Sequence, residues 1–126
     1  MAVSSLKTKL QNDGVVLGPF VNIASGAMLE IAAYAGFDFA ILDTEHGPLD
    51  IPGAEDLCRV AAGVGRSPIV RVREKDPPQV LRALDIGAEG VQVPQICNRS
   101  DAEGLVRSAK AAPRGMRGVS PYTRAA

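Results

Sequence analysis

The sequence predicts an α/β fold in which parallel strands alternate with helices, and three observations support this. Short apolar runs, such as residues 39–42 and 69–72, have the length of buried strands. Each run is followed by a segment whose apolar residues recur at helical spacing. Glycines separate these segments from the next run. Four such units imply a parallel sheet with right-handed crossovers, either a flavodoxin-like open sheet or part of a (β/α)8 barrel.

The first unit follows a short polar segment. Leu6 and Leu10 are spaced for one side of a small helix, which we expect under the sheet. Residues 15–21 are the first predicted strand. Ser25 is suited to begin the helix that follows and Gly36 to end it. The apolar face predicted for this helix consists of Met28, Ile31, Ala32 and Ala35.

The next two units repeat this order. The second strand, residues 39–42, precedes a helix that begins at Asp50, with Pro52 in its first turn. The third strand, residues 69–72, precedes a helix for which Asp76-Pro77 is the start signal. The predicted buried residues are Leu57, Val60, Ala61 and Val64 in the first of these helices and Val80, Leu81 and Leu84 in the second.

The fourth unit completes the predicted sheet. Residues 90–94 form its strand, and the next helix begins at Ser100. Glu103 completes a capping box with Ser100, in which each side chain accepts a backbone N–H of the other residue. This helix ends before Pro113. Since no low-complexity linker interrupts the chain, we interpret residues 1–126 as a single domain.

Composition and charge exclude several classes of function. The formal net charge is zero and aromatic residues make up only 4% of the chain, so we expect no nucleic-acid surface. No glycine-rich dinucleotide or phosphate-binding motif is present. The sequence shows no membrane-length apolar run and no signal peptide, which predicts a cytoplasmic protein. Cys58 and Cys97 lack the spacing of metal ligands and are expected to be reduced.

The most informative stretch is residues 37–48, because polar side chains follow its apolar strand directly. Asp43, Glu45 and His46 come together at the carboxyl end of that strand, and His46 is the only histidine. Chemistry in parallel α/β folds collects at such strand ends. The stretch is therefore a candidate for general acid/base work or for metal binding. The alternative is structural, with an exposed histidine and acids that cap the next helix.

Three further polar residues are candidates for a site with this stretch, two of them on strands and one on a helix. Asp43 lies on the same face of its strand as Phe39 and Ile41, and Arg71 lies on the same face of the next strand as Ile69. If these faces point into a barrel, Asp43 and Arg71 are expected to meet at its mouth. Arg71 lies among apolar residues and needs a partner, which is either a purely structural acid or a substrate anion. Gln92, between two valines, is either a satisfied interior residue or a ligand contact. Asp85 opposes its helix dipole, which suggests a specific partner.

Five motifs, in this order, give the chain a resemblance to a known family. They are Asp43-Thr44-Glu45-His46-Gly47-Pro48, Pro68-Ile69-Val70-Arg71-Val72, Leu84-Asp85-Ile86-Gly87-Ala88, Val91-Gln92-Val93-Pro94 and Arg114-Gly115-Met116-Arg117-Gly118. The chain resembles the HpcH/HpaI aldolases, which are metal-dependent class II enzymes. The resemblance implies a TIM (β/α)8 barrel, a fold of about 250 residues, of which this chain has the first half.

The resemblance also implies roles for particular residues. His46, oriented by Asp43, would be the acid/base group, acting directly or through a metal-bound water, and Asp85 would support the site by holding neighbouring polar groups. Arg71 would bind the pyruvate oxygen and stabilise the enolate, with Gln92 as a further substrate contact. The enzyme would cleave a 2-keto-3-deoxy or 4-hydroxy-2-oxo acid to pyruvate and an aldehyde.

The resemblance further implies a divalent cation, Mg²⁺, Mn²⁺ or Co²⁺. The family's metal ligands lie on later strands, beyond residue 126, so no ligand is assigned in this chain. The expected partners are a small keto acid and further copies of the chain in a homo-oligomer, with no nucleic acid and no membrane.

Two alternative functions remain open from the sequence. The first is a Schiff-base aldolase using Lys75, although this lysine lies in a charge cluster that favours its protonated form. The second is a non-catalytic aldolase fragment, or a subunit that needs a second half. A half-barrel exposes sheet edges and apolar surface, so we expect the isolated chain to associate and to bind Mn²⁺ weakly.

Overall fold

The computed structural model describes residues 6–12 and 14–125, which contain one parallel sheet and five helices. The sheet order is β1-β2-β3-β4, and all three neighbouring pairs are parallel. This confirms the predicted strand–helix units. The elements are α1 (Leu6–Gln11), β1 (Phe20–Val21), α2 (Gly26–Tyr34), β2 (Phe39–Asp43), α3 (Ile51–Gly63), β3 (Ser67–Arg71), α4 (Pro77–Asp85), β4 (Gly90–Gln92) and α5 (Arg99–Ala109).

Strand β1 is shorter than predicted, because only two of residues 15–21 are in the sheet. Pro19 has no N–H with which to continue the strand ladder. Gly18 lies so close to β2 that a Cβ added there would be 2.6 Å from the Phe39 ring and from the Phe39 carbonyl oxygen. The segment before β1 therefore packs directly against the start of β2. A backbone hydrogen bond joins the two, in which the Leu17 carbonyl accepts the Asp38 N–H.

Side-chain caps explain where most helices begin. Ser25 accepts the N–H of Met28 at the start of α2, and Asp50 accepts the N–H of Gly53 at the start of α3, as predicted. The cap predicted for α5 is wrong. Asn98, not Ser100, accepts the N–H of Asp101 at 2.9 Å. An asparagine at that position caps as well as a serine does, so the helix begins earlier.

The predicted apolar face of α2 is also wrong. The residues that α2 buries are Leu29 and Ala33, while Met28 and Ile31 are more than half exposed. Almost every residue of this helix is apolar, so hydrophobic periodicity does not select a face. Helices α3 and α4 each bury part of the predicted set, whereas no residue of α1 or α5 is fully buried. The buried positions are Ala54, Leu57, Cys58 and Ala61 in α3 and Val80 and Ala83 in α4.

The two faces of the sheet differ in burial. Ala40, Leu42 and Val70 point towards the helices and form the centre of the hydrophobic core. Ile41 and Ile69, which alternate with them, are only half-buried on the opposite face. That second face carries the side chains of Asp43 and Arg71 at its end, because side chains alternate along a strand.

The end of the sheet where β2, β3 and β4 begin, called the amino edge below, is held by α1. The Leu6 N–H donates to the Ser67 hydroxyl at 3.3 Å, and that hydroxyl donates to Glu89 at 2.6 Å. Lys9 forms an ion pair with Asp38 at 2.5 Å. The short helix therefore lies under the sheet, as expected. None of the helices in residues 6–12 and 14–125 is both long and apolar enough to cross a membrane.

Candidate active site at the carboxyl edge

Polar residues form a row across the carboxyl edge, the end at which β2, β3 and β4 stop. Asp43 is in register with Arg71, and Arg71 is in register with Gln92. Residues in register on neighbouring parallel strands project to the same face. The prediction that Asp43 and Arg71 meet is therefore confirmed.

Asp43 and Arg71 form a bidentate ion pair. The Arg71 Nε donates to Asp43 Oδ1 at 2.9 Å, and Nη2 donates to Oδ2. Asp43 is only 4% exposed. The hydrogen bond from Arg71 lowers the pKa of Asp43 to about 2, with backbone N–H groups of His46 and Glu45 acting in the same direction and burial opposing them. The same bond raises the pKa of Arg71, so both groups stay charged.

Two further side chains surround the Arg71 guanidinium. The ring of Phe20 lies against it, with 4.8 Å between the guanidinium carbon and the ring centroid. Glu45 Oε2 is 3.4 Å from Arg71 Nε. The sequence placed Glu45 in the polar cluster after β2 but predicted no contact between it and Arg71, and it gave Phe20 no role. The alternation of β1 indicates that Phe20 faces one side of the sheet, but only the register shows that it reaches Arg71.

His46 lies at the rim of this cluster with its side chain 72% exposed. The nearest carboxylate oxygen is Glu45 Oε1, 3.7 Å from His46 Nε2. The prediction that Asp43 orients the imidazole needs correction. Asp43 Oδ1 instead accepts the backbone N–H groups of Glu45 and His46, at 3.0 and 3.2 Å. Asp43 thus fixes the main chain of the loop, while the imidazole ring is mostly exposed.

The loop after β2 is also tied to β3. The Thr44 hydroxyl and backbone N–H both donate to the Arg71 carbonyl, at 2.7 and 3.1 Å. In return, Arg73 Nε donates to the Thr44 carbonyl at 2.9 Å. These bonds position the start of the loop that carries Glu45 and His46. Gly47 then turns the chain with a φ of 152°, next to Asn22.

Gln92 and Asp85, the other two predicted site residues, differ in position. Gln92 is exposed at the end of the polar row, and its carbonyl accepts the Val72 N–H. Asp85 ends α4, which runs back from the carboxyl edge towards the start of β4, so this chain does not bring it to Asp43. Its partner is Arg117, whose Nη2 donates to Asp85 at 3.0 Å. The sequence signal for a specific partner was right, but the structure gives no contact between Asp85 and His46.

Lys75, the lysine of the Schiff-base alternative, is engaged elsewhere. Its ammonium group is 3.0 Å from an Asp101 carboxylate oxygen, and that bond lowers the pKa of Asp101. A Schiff-base lysine must lose its proton, which an ion pair opposes. The geometry therefore disfavours this alternative.

The described residues do not fit a divalent cation. No group of three or more histidine, cysteine, aspartate or glutamate side chains within them is arranged to hold one. Asp43 directs both of its oxygens at Arg71, and the two cysteines are free, with Cys58 buried and Cys97 exposed. Burial raises the pKa of the Cys58 thiol to about 12, which makes it a poor ligand.

Comparisons with known proteins relate this chain to a family. The family model described as HpcH/HpaI aldolase/citrate lyase matches residues 17–125. The chain is 35% identical to the pyruvate aldolase of Rhizobium etli, over 99% of this chain and 49% of that protein. It is 32% identical to the 4-hydroxy-2-oxo-heptane-1,7-dioate aldolase of Klebsiella pneumoniae, over 92% of this chain and 44% of that protein.

Solved structures give the same result for the fold. The HpcH/HpaI aldolase from Desulfitobacterium hafniense matches with a TM-score of 0.87 and 37% identity, over 92% of this chain and 45% of that chain. The chain thus spans about half the length of the curated relatives it matches. Its four parallel strands with alternating helices correspond to about half of a TIM-type (β/α)8 barrel.

Proposed function

The chain belongs to the HpcH/HpaI aldolase/citrate lyase family, and we propose that it provides part of the active site of a carbon–carbon lyase. The proposed reaction is the cleavage of a 2-keto-3-deoxy or 4-hydroxy-2-oxo acid to pyruvate and an aldehyde. The observation that carries the proposal is the in-register Asp43–Arg71 pair beside the exposed imidazole of His46. The named activities of the relatives, pyruvate aldolase and 4-hydroxy-2-oxo-heptane-1,7-dioate aldolase, support it.

In the proposed reaction, His46 is the general base and then the general acid. The imidazole accepts the proton of the substrate's C4 hydroxyl, and the C3–C4 bond breaks to release the aldehyde. The electron pair of that bond forms a C2=C3 double bond while the π pair of the C2 carbonyl moves to its oxygen, which gives the enolate of pyruvate. Protonation of C3 then completes pyruvate. The exposure of His46 supports this role, since the ring has to reach a hydroxyl at the mouth of the site.

Arg71 is the proposed contact for the keto acid. Asp43 occupies its Nε and Nη2, while no protein group in the described part of the chain hydrogen-bonds to Nη1. That free edge is suited to an enolate or carboxylate oxygen, and a guanidinium held in place stabilises charge that develops during the reaction. Gln92, at the end of the same row, is the proposed second contact. The supporting role proposed for Asp85 remains a proposal, because the side-chain partner of Asp85 among the described residues is Arg117.

A divalent cation is part of the proposal for the whole protein, with Mg²⁺, Mn²⁺ or Co²⁺ bound by oxygen ligands outside the described residues. When bound, such an ion would polarise the carbonyl of the keto acid. The family relationship supports a metal requirement. The steps given above for His46 and Arg71 concern the residues of this chain only.

Pyruvate release from 2-keto-3-deoxy and 4-hydroxy-2-oxo acids, measured in the full-length protein that contains this chain, tests the proposal. We expect release to stop with EDTA and to fall by about 100-fold or more in His46→Ala, as for loss of a general base. A matched control is Glu55→Gln, which alters an ion pair on α3 outside the site. Activity that survives both EDTA and His46→Ala would contradict the proposal.

The second candidate is a non-catalytic fragment or a subunit that needs a second half. Large apolar side chains at the surface favour it, including Phe20, Ile23, Met28, Ile31 and Val106, each more than half exposed. We therefore propose that the chain forms homo-oligomers, which light scattering tests directly. A stable monomer at micromolar concentration would contradict this. The free thiols of Cys58 and Cys97 support a reducing, cytoplasmic location.

A further inference from the structure

We propose that Glu45 is a positioning residue that fixes the Arg71 guanidinium and links it to the His46 loop. This inference rests on the proposed function only in treating Arg71 as the contact for the keto acid. The Glu45 carboxylate lies between the two groups, with Oε2 3.4 Å from Arg71 Nε and Oε1 3.7 Å from His46 Nε2. Each of its oxygens therefore faces a different residue of the candidate site.

Charge balance alone does not explain Glu45. Asp43 already neutralises Arg71 with a bidentate contact, so a second carboxylate gives the three groups a formal charge of −1. The Glu45 side chain is also only 15% exposed, and burying a carboxylate is unfavourable without compensating contacts. Within residues 6–12 and 14–125, the basic side chains within 4 Å of the Glu45 carboxylate are those of Arg71 and His46. Its burial is compensated only at the candidate site.

The geometry around Arg71 indicates what Glu45 adds. Asp43 holds the guanidinium in its own plane through Nε and Nη2, and Phe20 covers one face at 4.8 Å. Neither contact links the guanidinium to the side chains of the loop after β2. Glu45 approaches the same Nε from another point of the loop, so the Nε–H has a carboxylate oxygen from each acid near it. At 3.4 Å the Glu45 contact is electrostatic, and this second carboxylate draws the guanidinium towards the loop that carries His46.

The backbone of the loop makes the arrangement cooperative. The N–H groups of Glu45 and His46 both donate to Asp43 Oδ1, the oxygen that also accepts from Arg71 Nε. Movement of Arg71 would therefore disturb both residues of the loop, and movement of the loop would disturb Arg71. Glu45 completes this ring of contacts through its side chain. We infer that the anion-binding group and the acid/base group are positioned together.

The Nε–H signal of Arg71 in a proton–nitrogen correlation spectrum of the unliganded chain tests the inference. Arg71→Lys assigns the signal by removing it. In Glu45→Gln, which keeps the size of the side chain and removes its charge, we expect the signal to shift. We also expect its exchange with water to become about twofold to fivefold faster, as for the loss of one ion-pair contact beside the group. Glu55→Gln, in the Glu55–Arg59 pair of α3, is the matched control and should leave the signal unchanged.

Each outcome of this experiment decides the inference. A shifted, faster-exchanging signal in a Glu45→Gln protein whose melting temperature is unchanged supports positioning. An unchanged signal overturns it, and so does a Glu45→Gln protein that no longer folds, because Glu45 would then be a structural residue. Adding oxamate, a pyruvate analogue, to the unaltered chain tests the proposed function separately. If oxamate does not move the Arg71 signal, the keto-acid contact is contradicted while the result on Glu45 stands.

Discussion

The two edges of the sheet both hold carboxylate–cation pairs, but the pairs differ in burial and in what they connect. At the carboxyl edge, Asp43 is almost fully buried and binds Arg71 through two oxygens. At the amino edge, Lys9 of α1 contacts Asp38, and the lysine side chain is 34% exposed. A buried charge depends on its partner, whereas water and salt screen an exposed one. The first pair therefore joins two strands firmly, while the second only attaches a helix.

Removing the cation at the carboxyl edge should have the largest effect. Arg71→Met leaves the Asp43 carboxylate buried without its partner, so we expect the free energy of unfolding to fall by about 3 kcal/mol. Urea unfolding at pH 7 measures this. Adding Asp43→Asn to Arg71→Met removes the unpaired charge and should recover part of the loss. A double variant no more stable than the single one would contradict the burial argument.

Acid should weaken the carboxyl edge next. The folded pKa of Asp43, about 2, lies below its ordinary value of 3.8, so the folded state favours the ionised form. The resulting stabilisation, about 2 kcal/mol, is fully present above pH 4 and is lost as the pH falls towards 2. Urea unfolding across this range should show a shallower loss in Asp43→Asn than in the unaltered chain. Parallel curves for the two proteins would show that Asp43 is not the group that titrates.

The amino edge should respond less. Lys9→Met removes a partly exposed ion pair, for which we expect a loss below about 1 kcal/mol that shrinks further at high salt. The Lys9 contact lowers the pKa of Asp38 as well, so acid acts on this pair in the same direction as on Asp43. Urea unfolding at low and high salt checks the prediction. A loss as large as that of Arg71→Met would remove the distinction between the two edges.

The smallest effect on stability should come from His46→Ala. Because the imidazole is mostly exposed, we expect the free energy of unfolding to change by less than about 0.5 kcal/mol. Thermal unfolding of the chain measures this, alongside the activity assay described above. A marked loss of stability would show that the ring has a structural role, and any loss of activity would then have two causes.

The sequence was sufficient for the order of the elements and for much of their bounds. Short apolar runs and the caps at Ser25 and Asp50 depend on local physics, so they survive in the folded chain. Faces that depend on packing were harder to predict. In α2 nearly every residue is apolar, and only contact with α3 and the sheet decides that Leu29 is buried and Met28 is not. At the start of α5, Asn98 and Ser100 are both suitable capping residues, and the structure has Asn98 as the cap.

For the candidate site, the sequence predicted contacts within the sheet better than contacts between loops. Alternation along two strands was enough to pair Asp43 with Arg71. No periodicity describes the loop after β2, so the approach of Glu45 to Arg71 was not predicted. The unfavourable position of Asp85 at a helix end indicated a partner, but Arg117 is distant in sequence and its approach depends on how the chain returns after α5.

The alignment of Asp43 with Arg71 also has a consequence for misfolding. If β2 shifted by one residue along β3, Leu42 or Thr44 would stand opposite Arg71, and Asp43 would turn towards the apolar core. In such a shifted sheet apolar side chains can still pack against each other, so hydrophobic burial alone makes it only slightly less stable than the native sheet. Separating Asp43 from Arg71 would leave both charges without a partner, which destabilises the shifted sheet by several kcal/mol. The ion pair thus acts against misaligned sheets and the aggregates that grow from them.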